Sequence, residues 1–257
     1  MKISVVTACF NSGATIAHTL RSVAAQTHPE VEHIIVDGGS SDATLAIVAE
    51  HRERVSKLIS EPDRGVYDAM NKGIALADGD VVGFLNADDE YADAQALADV
   101  AAAFADPTVE ACYADLVYVD RENGDRIVRY WQSQDFRPGL FRRGWMPAHP
   151  TFFVRREVFA RFGGFDLRYR LQSDFDLCMR LLEVQRIQSK YIPRVLVRMR
   201  MGGMSNNSFR NILRGNLEAY RACRNCGMRV TPLFIVRKLL SRLPQFFARA
   251  AHLGQRP

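Results

Sequence analysis

Runs of β-branched and aliphatic residues recur along the first ninety positions, and each is closed by a polar cluster. Ile3 to Ala8 is one such run, followed by Asn11-Ser12-Gly13. Ile16, Leu20, Val23 and Ala24 then return at helical spacing, with Ser12 as the expected N-cap. Val31 to Val36 reads as a second strand ending at Asp37-Gly38-Gly39-Ser40-Ser41-Asp42, and Leu45, Val48 and Ala49 mark a helix. Val55 to Ile59 is a third strand, followed by a polar turn from Glu61 to Gly65 and a helix over Tyr67 to Ala77. After the Gly79-Asp80 turn, Val81 to Leu85 is a fourth strand ending at Asn86-Ala87-Asp88-Asp89. This alternation predicts βαβ units and a mostly parallel sheet with helices on both faces, an α/β fold. In such sheets ligands gather at the carboxyl ends of the strands. The loops Thr7–Asn11, Asp37–Asp42, Glu61–Asp68 and Asn86–Asp89 are therefore expected on one rim.

The second half has a different rhythm. Glu110 to Asp120 and Arg126 to Trp131 are strand-like and flank Asn123-Gly124, a hairpin signal. A loop from Arg137 to Pro150 is rich in Arg, Gly and Pro. A short strand follows at Thr151 to Val154, then a helix ending at Gly163-Gly164, a helix from Asp174 to Leu182, and strands at Ile187 to Ile192 and Val195 to Met199. After Gly202-Gly203 the pattern is helical, broken near Gly227 and Pro244.

The chain has 257 residues, 47% of them hydrophobic and 25% charged, an ordinary globular composition that excludes a disordered or multi-pass membrane protein. The net charge of +5 hides a segregation. Residues 1–120 carry 20 acidic and 7 basic side chains, a net of −13, while 121–204 and 205–257 each carry +9. A nucleic-acid binder is not expected to look like this, and no recognition motif accompanies the basic residues. We therefore divide the chain into a domain over 1–204, with halves 1–120 and 121–204, and a basic helical extension over 205–257. The five cysteines are scattered and odd in number, which suits a reduced, cytoplasmic chain. Cys223 and Cys226 form one C-x-x-C with no second pair to complete a zinc site, so two free thiols are expected. The N-terminus shows no signal-peptide pattern, and no apolar run approaches the ~20 residues that span a bilayer.

Asp88-Asp89 offers hard oxygen ligands directly after an apolar strand. That suits Mg²⁺ or Mn²⁺ holding a diphosphate, or else a helix cap. Asp37 suits an Asx-turn, or a hydrogen bond to a base or ribose. The first strand is not followed by Gly-x-Gly-x-x-Gly, and no Gly-Lys-Ser/Thr is present, which disfavours nicotinamide-binding and P-loop enzymes.

An ordered set of motifs carries a resemblance. Ile3 to Asn11 is the first, then Ile35-Val36-Asp37-Gly38-Gly39-Ser40-Ser41-Asp42 and Glu61 to Gly73. Next come Phe84 to Asp89, Ala148-His149-Pro150-Thr151, Gly163-Gly164-Phe165-Asp166 and Ser173-Asp174-Phe175-Asp176-Leu177. Over roughly residues 1–205 the chain resembles family 2 glycosyltransferases of the GT-A fold, the inverting type of bacterial cell-surface polysaccharide assembly. The resemblance implies a central sheet with a nucleotide-binding half and sugar transfer from a nucleoside-diphosphate sugar, most simply a UDP-sugar, to a saccharide or lipid-linked acceptor. It also implies a divalent cation, Mg²⁺ or Mn²⁺. By position it assigns Thr7, Asn11, Asp37 and Arg64 to the nucleotide, Asn86-Ala87-Asp88 to the Asp-x-Asp motif, Asp88 to the metal and Asp174 to the catalytic base. Asn86 stands where the family has an aspartate and adds no charge. Ser173 stands where a glutamate often precedes the base. Asp176 lies two residues on, so the two carboxylates leave the helix in different directions, and one of them is expected to cap or to pair with an arginine. A sugar nucleotidyltransferase and a non-catalytic nucleotide-sugar-binding protein are the alternatives. The first would need a basic glycine-rich loop after the first strand, which Thr7–Gly13 lacks.

His149 lies in a loop between prolines that could close over the site and touch phosphate or acceptor, or could simply stabilise a turn. Trp131 and Trp145 suit sugar stacking or packing. Arg142, Arg143, Arg155 and Arg156 suit a phosphorylated acceptor or a solvated face. After Thr231-Pro232, Val236, Leu239, Leu240, Leu243 and Phe247 keep helical spacing among basic residues. That pattern suits either an anionic membrane surface, placing the chain peripherally on the inner face of the cytoplasmic membrane, or packing on the domain.

Overall fold

The computed structural model describes residues 1–120, 124, 126–201, 209–241 and 245. Among the described residues nine strands form one sheet: β1 (Ile3–Cys9), β2 (Val31–Asp37), β3 (Lys57–Ser60), β4 (Val81–Phe84), β5 (Asp89–Tyr91), β6 (Ala111–Val119), β7 (Ile127–Trp131), β8 (Phe153–Arg155) and β9 (Ser189–Arg200). Their order is β3-β2-β1-β4-β8-β6-β9-β5, with β7 also pairing β6. The helices are α1 (Ile16–Ala24), α2 (Thr44–Glu50), α3 (Val66–Leu76), α4 (Ala96–Ala103), α5 (Arg156–Phe162), α6 (Ser173–Met179), α7 (Phe209–Asn225) and α8 (Leu233–Leu240).

The first half is the expected α/β arrangement. β1 pairs in parallel with β2 and β4, and β2 with β3, so their carboxyl ends share one rim. β1 is buried along its whole length, as a strand covered on both faces should be. Val6 faces one apolar core with Ile34, Val36 and Phe84, while Ile3 and Val5 face another with Leu97 and Val100. Helix α3 lies flush on β1: a Cβ on Gly73 would sit 2.2 Å from Val6 Cγ1, so only glycine fits there. The second half makes the sheet mixed. β8 runs antiparallel to β4 and β6, β7 to β6, and β5 to β9, whereas β9 runs parallel to β6.

Several expectations need correction. Helix α1 starts at Ile16 and has no side-chain cap; the Ser12 carbonyl, not its hydroxyl, accepts the Thr15 and Ile16 N–H groups. The two strands expected at 187–199 are one, β9, whose register against β6 slips between Ala114 and Leu116. Helix α6 passes into a π turn over Arg180–Val184. Most of the Glu122–Asp125 turn, Gly202-Gly203, Pro244 and Phe247 lie outside the described residues.

The C-terminal helices share the main core. Ala219, Ala222 and Cys223 of α7 and Phe234 of α8 are buried with Phe141, Phe175 and Leu177. All five cysteines are free thiols. Among the described residues no helix is long and apolar enough to cross a membrane.

Candidate functional site

The rim at the ends of β1, β2 and β3 is built around Asp37. Its carboxylate accepts the Gly39 and Ser40 N–H groups at 3.1 and 2.9 Å and the Ser60 hydroxyl at 2.6 Å, together with the Ser40 hydroxyl. Burial pushes its pKa up, but these donors outweigh burial and hold it below the usual value. The Asx-turn reading of Asp37 is thus realised, with Ser60 added from the next strand. Asn11 sits in the left-handed region at φ 48°, which Asn tolerates better than most residues. Its N–H donates to Ser40 Oγ at 2.8 Å, and its Oδ1 accepts the Ser41 N–H at 3.0 Å. Phe10, whose ring lies beside Gly38, is 62% exposed, a large apolar ring left in water on this rim. The sequence reading gave Phe10 no role. An aromatic residue one place before Asn11 in a polar loop was the available signal.

Thr7 is not brought to this surface. It is buried in β1, with Oγ1 3.0 Å from His33 Nε2. Arg64 is exposed after β3, and its guanidinium pairs with Asp68 at 3.2 Å. Arg155 and Arg156 are committed to backbone carbonyls, of Val109 at 2.7 Å and Gly79 at 3.0 Å, so they are structural; Arg142 and Arg143 are exposed.

At the end of β4 the acidic pair divides. Asp89 is buried, and Asn86 Nδ2 donates to its Oδ2 at 2.8 Å. Burial first, then the neighbouring Asp88 charge, push the Asp89 pKa well above the usual carboxylate range. Asp89 is thus enclosed and held by Asn86, whereas Asp88 lies nearer the surface. Asp88 is half-buried, and among the described residues no group of three His, Cys, Asp or Glu could hold a metal. One carboxylate beside an amide oxygen fits a divalent cation only when substrate phosphates complete the shell, the usual habit of Mg²⁺ with nucleotides.

Asp174 occupies the first turn of α6 and is half-buried. Its Oδ1 accepts the Tyr67 hydroxyl at 3.1 Å and the Phe175 N–H at 2.8 Å. Tyr67 comes from α3, directly after the Arg64 loop. Burial and then the Asp174 charge raise its pKa, so it stays a donor. Asp176 points elsewhere: it is buried against Arg180 at 3.3 Å, whose other nitrogens cap the Phe162 and Gly164 carbonyls.

His149 is not on a closing loop. It is buried, stacked on Phe84 at 5.4 Å and edge-on to Phe165 at 5.4 Å. Burial lowers its pKa, and the Asp174 charge acts the other way. Phe165 also stacks on Tyr67 at 5.3 Å, and Asn71 clamps the Phe165 backbone through both its N–H and its C=O. Phe84, His149, Phe165 and Tyr67 thus form an aromatic floor that joins the end of β4 to the Asp174 carboxylate. Trp145 packs against Phe141 and Tyr113, and Trp131 stacks on Tyr118, so both are packing residues.

Comparison with known proteins fits this geometry. The sequence profile described as glycosyl transferase family 2 matches residues 4–163. A PGL/p-HBAD biosynthesis glycosyltransferase of Mycobacterium bovis is 35% identical over 215 residues, 79% of this chain and 78% of that protein. An uncharacterized glycosyltransferase of Mycobacterium tuberculosis is 33% identical over 181 residues, 69% of this chain and 68% of that one. In fold, the chain matches Staphylococcus aureus TarS 1-349 in complex with UDP with a TM-score of 0.65 at 18% identity, covering 99% of this chain and 74% of TarS 1-349. It matches the mannosyltransferase PcManGT of Pyrobaculum calidifontis, in complex with GDP-Man and Mn²⁺, with a TM-score of 0.66 at 19% identity, covering 100% and 76%. With a GT-A fold, this motif order and these relatives, the chain belongs to glycosyl transferase family 2 and is a glycosyltransferase.

Proposed function

We propose that the enzyme transfers a sugar, with inversion, from a nucleoside-diphosphate sugar to a hydroxyl of a saccharide or lipid-linked acceptor in cell-surface polysaccharide or glycolipid assembly. The observation that carries this reading is the half-open Asp174 carboxylate, held by Tyr67 and joined by the aromatic floor to the strand end that bears Asp88. Phe10 offers a ring face, and the loop braced by Asn11 and Asp37 offers backbone groups, to the base and ribose of the donor. TarS 1-349 and PcManGT hold UDP and GDP-Man respectively, which supports a nucleotide donor here. Arg64, exposed after β3, meets donor phosphate by exchanging its Asp68 contact in this reading.

Asp174 takes the proton of the acceptor hydroxyl as that oxygen bonds to the anomeric carbon and the bond to the diphosphate oxygen breaks on the opposite face. The hydroxyl becomes acidic only in the transition state, which is why a carboxylate suffices as base. Asp88, with the Asn86 carbonyl beside it, would hold the divalent cation, which neutralises charge on the departing diphosphate. The apolar floor keeps water from the underside of the base. On α8, Leu233, Val236, Leu239 and Leu240 are exposed around Arg237, which supports peripheral seating on an anionic membrane at its cytoplasmic face.

Thermal shifts with a panel of nucleotide sugars, with and without Mn²⁺, followed by turnover of Asp174→Asn, test the reading. A donor should stabilise the fold, and the variant should keep that shift while losing about 10²–10⁴-fold in kcat. Near-native turnover by Asp174→Asn refutes the base, and no shift with any donor or nucleoside diphosphate refutes the donor.

A further inference from the structure

Apart from the strand-end rim, α7 carries a second constellation. Arg210, Arg214, Leu217, Arg221 and Arg224 recur at alternating spacings of four and three residues, so they form one stripe, and all five are exposed. Two adjoining cavities of about 430 and 270 Å³ open beside it, sharing Leu217, Arg221 and Asn225; Tyr220 and Arg224 line the larger, Tyr169 the smaller. The acids nearby are already committed. Glu218 pairs with Arg214 at 3.2 Å and accepts the Leu171 N–H at 2.7 Å, and Asp166 pairs with Arg168 at 2.6 Å. Among the described residues, Arg221 and Arg224 make no ion pair or side-chain hydrogen bond. Two exposed guanidinium forks three residues apart on one helix face line this open hollow, the acid that shares it, Glu218, is paired with Arg214, and such forks suit the oxygens of a phosphate.

The groove is tied to the candidate base. Asn225 Nδ2 donates to the Tyr169 hydroxyl at 2.8 Å, so α7 anchors the segment that leads directly into α6. Asp174 follows Tyr169 by five positions, so their Cα atoms lie within about 18 Å of each other.

We propose that this groove is the acceptor's phosphate subsite. A phosphate ester carried by the acceptor sits between Arg221 and Arg224, its adjoining apolar part lies against Leu217 and Tyr220, and its hydroxyl end extends toward Asp174. The inference rests on the transferase reading only for naming the ligand as acceptor. Anion binding is measured without donor or turnover, so the two fail separately.

The test is calorimetric titration of the full chain with octyl phosphate, inorganic phosphate and octyl glucoside, alongside pelleting with phosphatidylcholine vesicles with and without phosphatidylglycerol. Octyl phosphate should bind, and octyl glucoside should bind at least tenfold more weakly. Arg221→Gln/Arg224→Gln should weaken octyl phosphate at least tenfold, whereas the charge-matched control Arg21→Gln/Arg54→Gln should change it less than twofold. Circular dichroism and melting temperature establish that both variants are folded. Inorganic phosphate binding that is lost in the same variant also supports the subsite. Equal loss in the control, no loss in the α7 variant, or arginine-dependent binding to phosphatidylglycerol vesicles with none to soluble phosphate would overturn it.

Discussion

The Tyr67 hydroxyl donates to Asp174 Oδ1 across 107 residues of sequence, tying α3 to the first turn of α6. One side chain thus joins the loop that follows β3 to the candidate base. Removing only the hydroxyl leaves the ring stacked on Phe165. Tyr67→Phe should lower kcat about tenfold, the scale of a lost hydrogen bond to a charged group, with the donor KM within twofold. Steady-state kinetics on purified enzyme separate the two parameters, and an unchanged kcat would reduce Tyr67 to packing.

Asn86 keeps the buried Asp89 in place with an amide donor. Asn86→Asp replaces that donor by a carboxylate facing another carboxylate out of water, where like charges raise each other's pKa. The variant should be destabilised at pH 7 by about 1–3 kcal/mol, and less at pH 5, where one proton is more readily shared. Melting curves at the two pH values measure the difference.

His33 is enclosed within β2, beside Val5 of β1, and burial pushes its pKa down to about 3. An unfolded histidine titrates near 6.5, so below that pH the unfolded chain binds a proton that the folded chain refuses. Stability is therefore complete above pH 6.5 and declines as pH falls toward 3, with about 2 kcal/mol lost between pH 7.5 and 5. Glu32, held down to about 2, contributes above pH 4.5 and loses that contribution only on further acidification. His33→Asn should flatten the melting-temperature profile between pH 7.5 and 5, and an unaltered slope would shift the effect to other groups.

The outer face of α8 should bind anionic bilayers. Leu233→Asn/Leu240→Asn should cut pelleting with phosphatidylglycerol vesicles several-fold without moving the melting temperature, because both side chains are exposed already. Undiminished pelleting would place any membrane contact elsewhere.

What the sequence disclosed follows from what is local. The parallel strands were legible because they are rich in β-branched and aliphatic residues closed by polar clusters, as the fully buried β1 is from Ile3 to Ala8. Strand β5 was hidden because it is three residues long and begins on Asp89, and α4 because its Ala-rich stretch has little amphipathic contrast. Pro193 split β9 in two on paper, whereas the structure absorbs it as a register slip. Motif order pointed to Asp174, Asp88 and Asp37, but their surroundings come from afar. Ser60 reaches Asp37 from another strand, Arg180 removes Asp176 from contention, and Phe84 and Phe165 turn His149 from a loop residue into part of the floor. These partners are set by tertiary contacts that no local pattern encodes.

The seat of α8 has a practical consequence. Its Lys238 is buried, donates to Gln172 and lies 4.5 Å from the centre of the Phe175 ring, under the helix that carries Asp174. Gly144, at φ +85°, makes room for it, since a Cβ there would meet Lys238 Cα at 2.4 Å. Deleting the C-terminal helices to abolish membrane contact would therefore also withdraw the underpinning of the candidate base. A truncated enzyme that is both unbound and inactive would say nothing about interfacial activation, and only substitutions on the outer surface of α8 can separate location from catalysis.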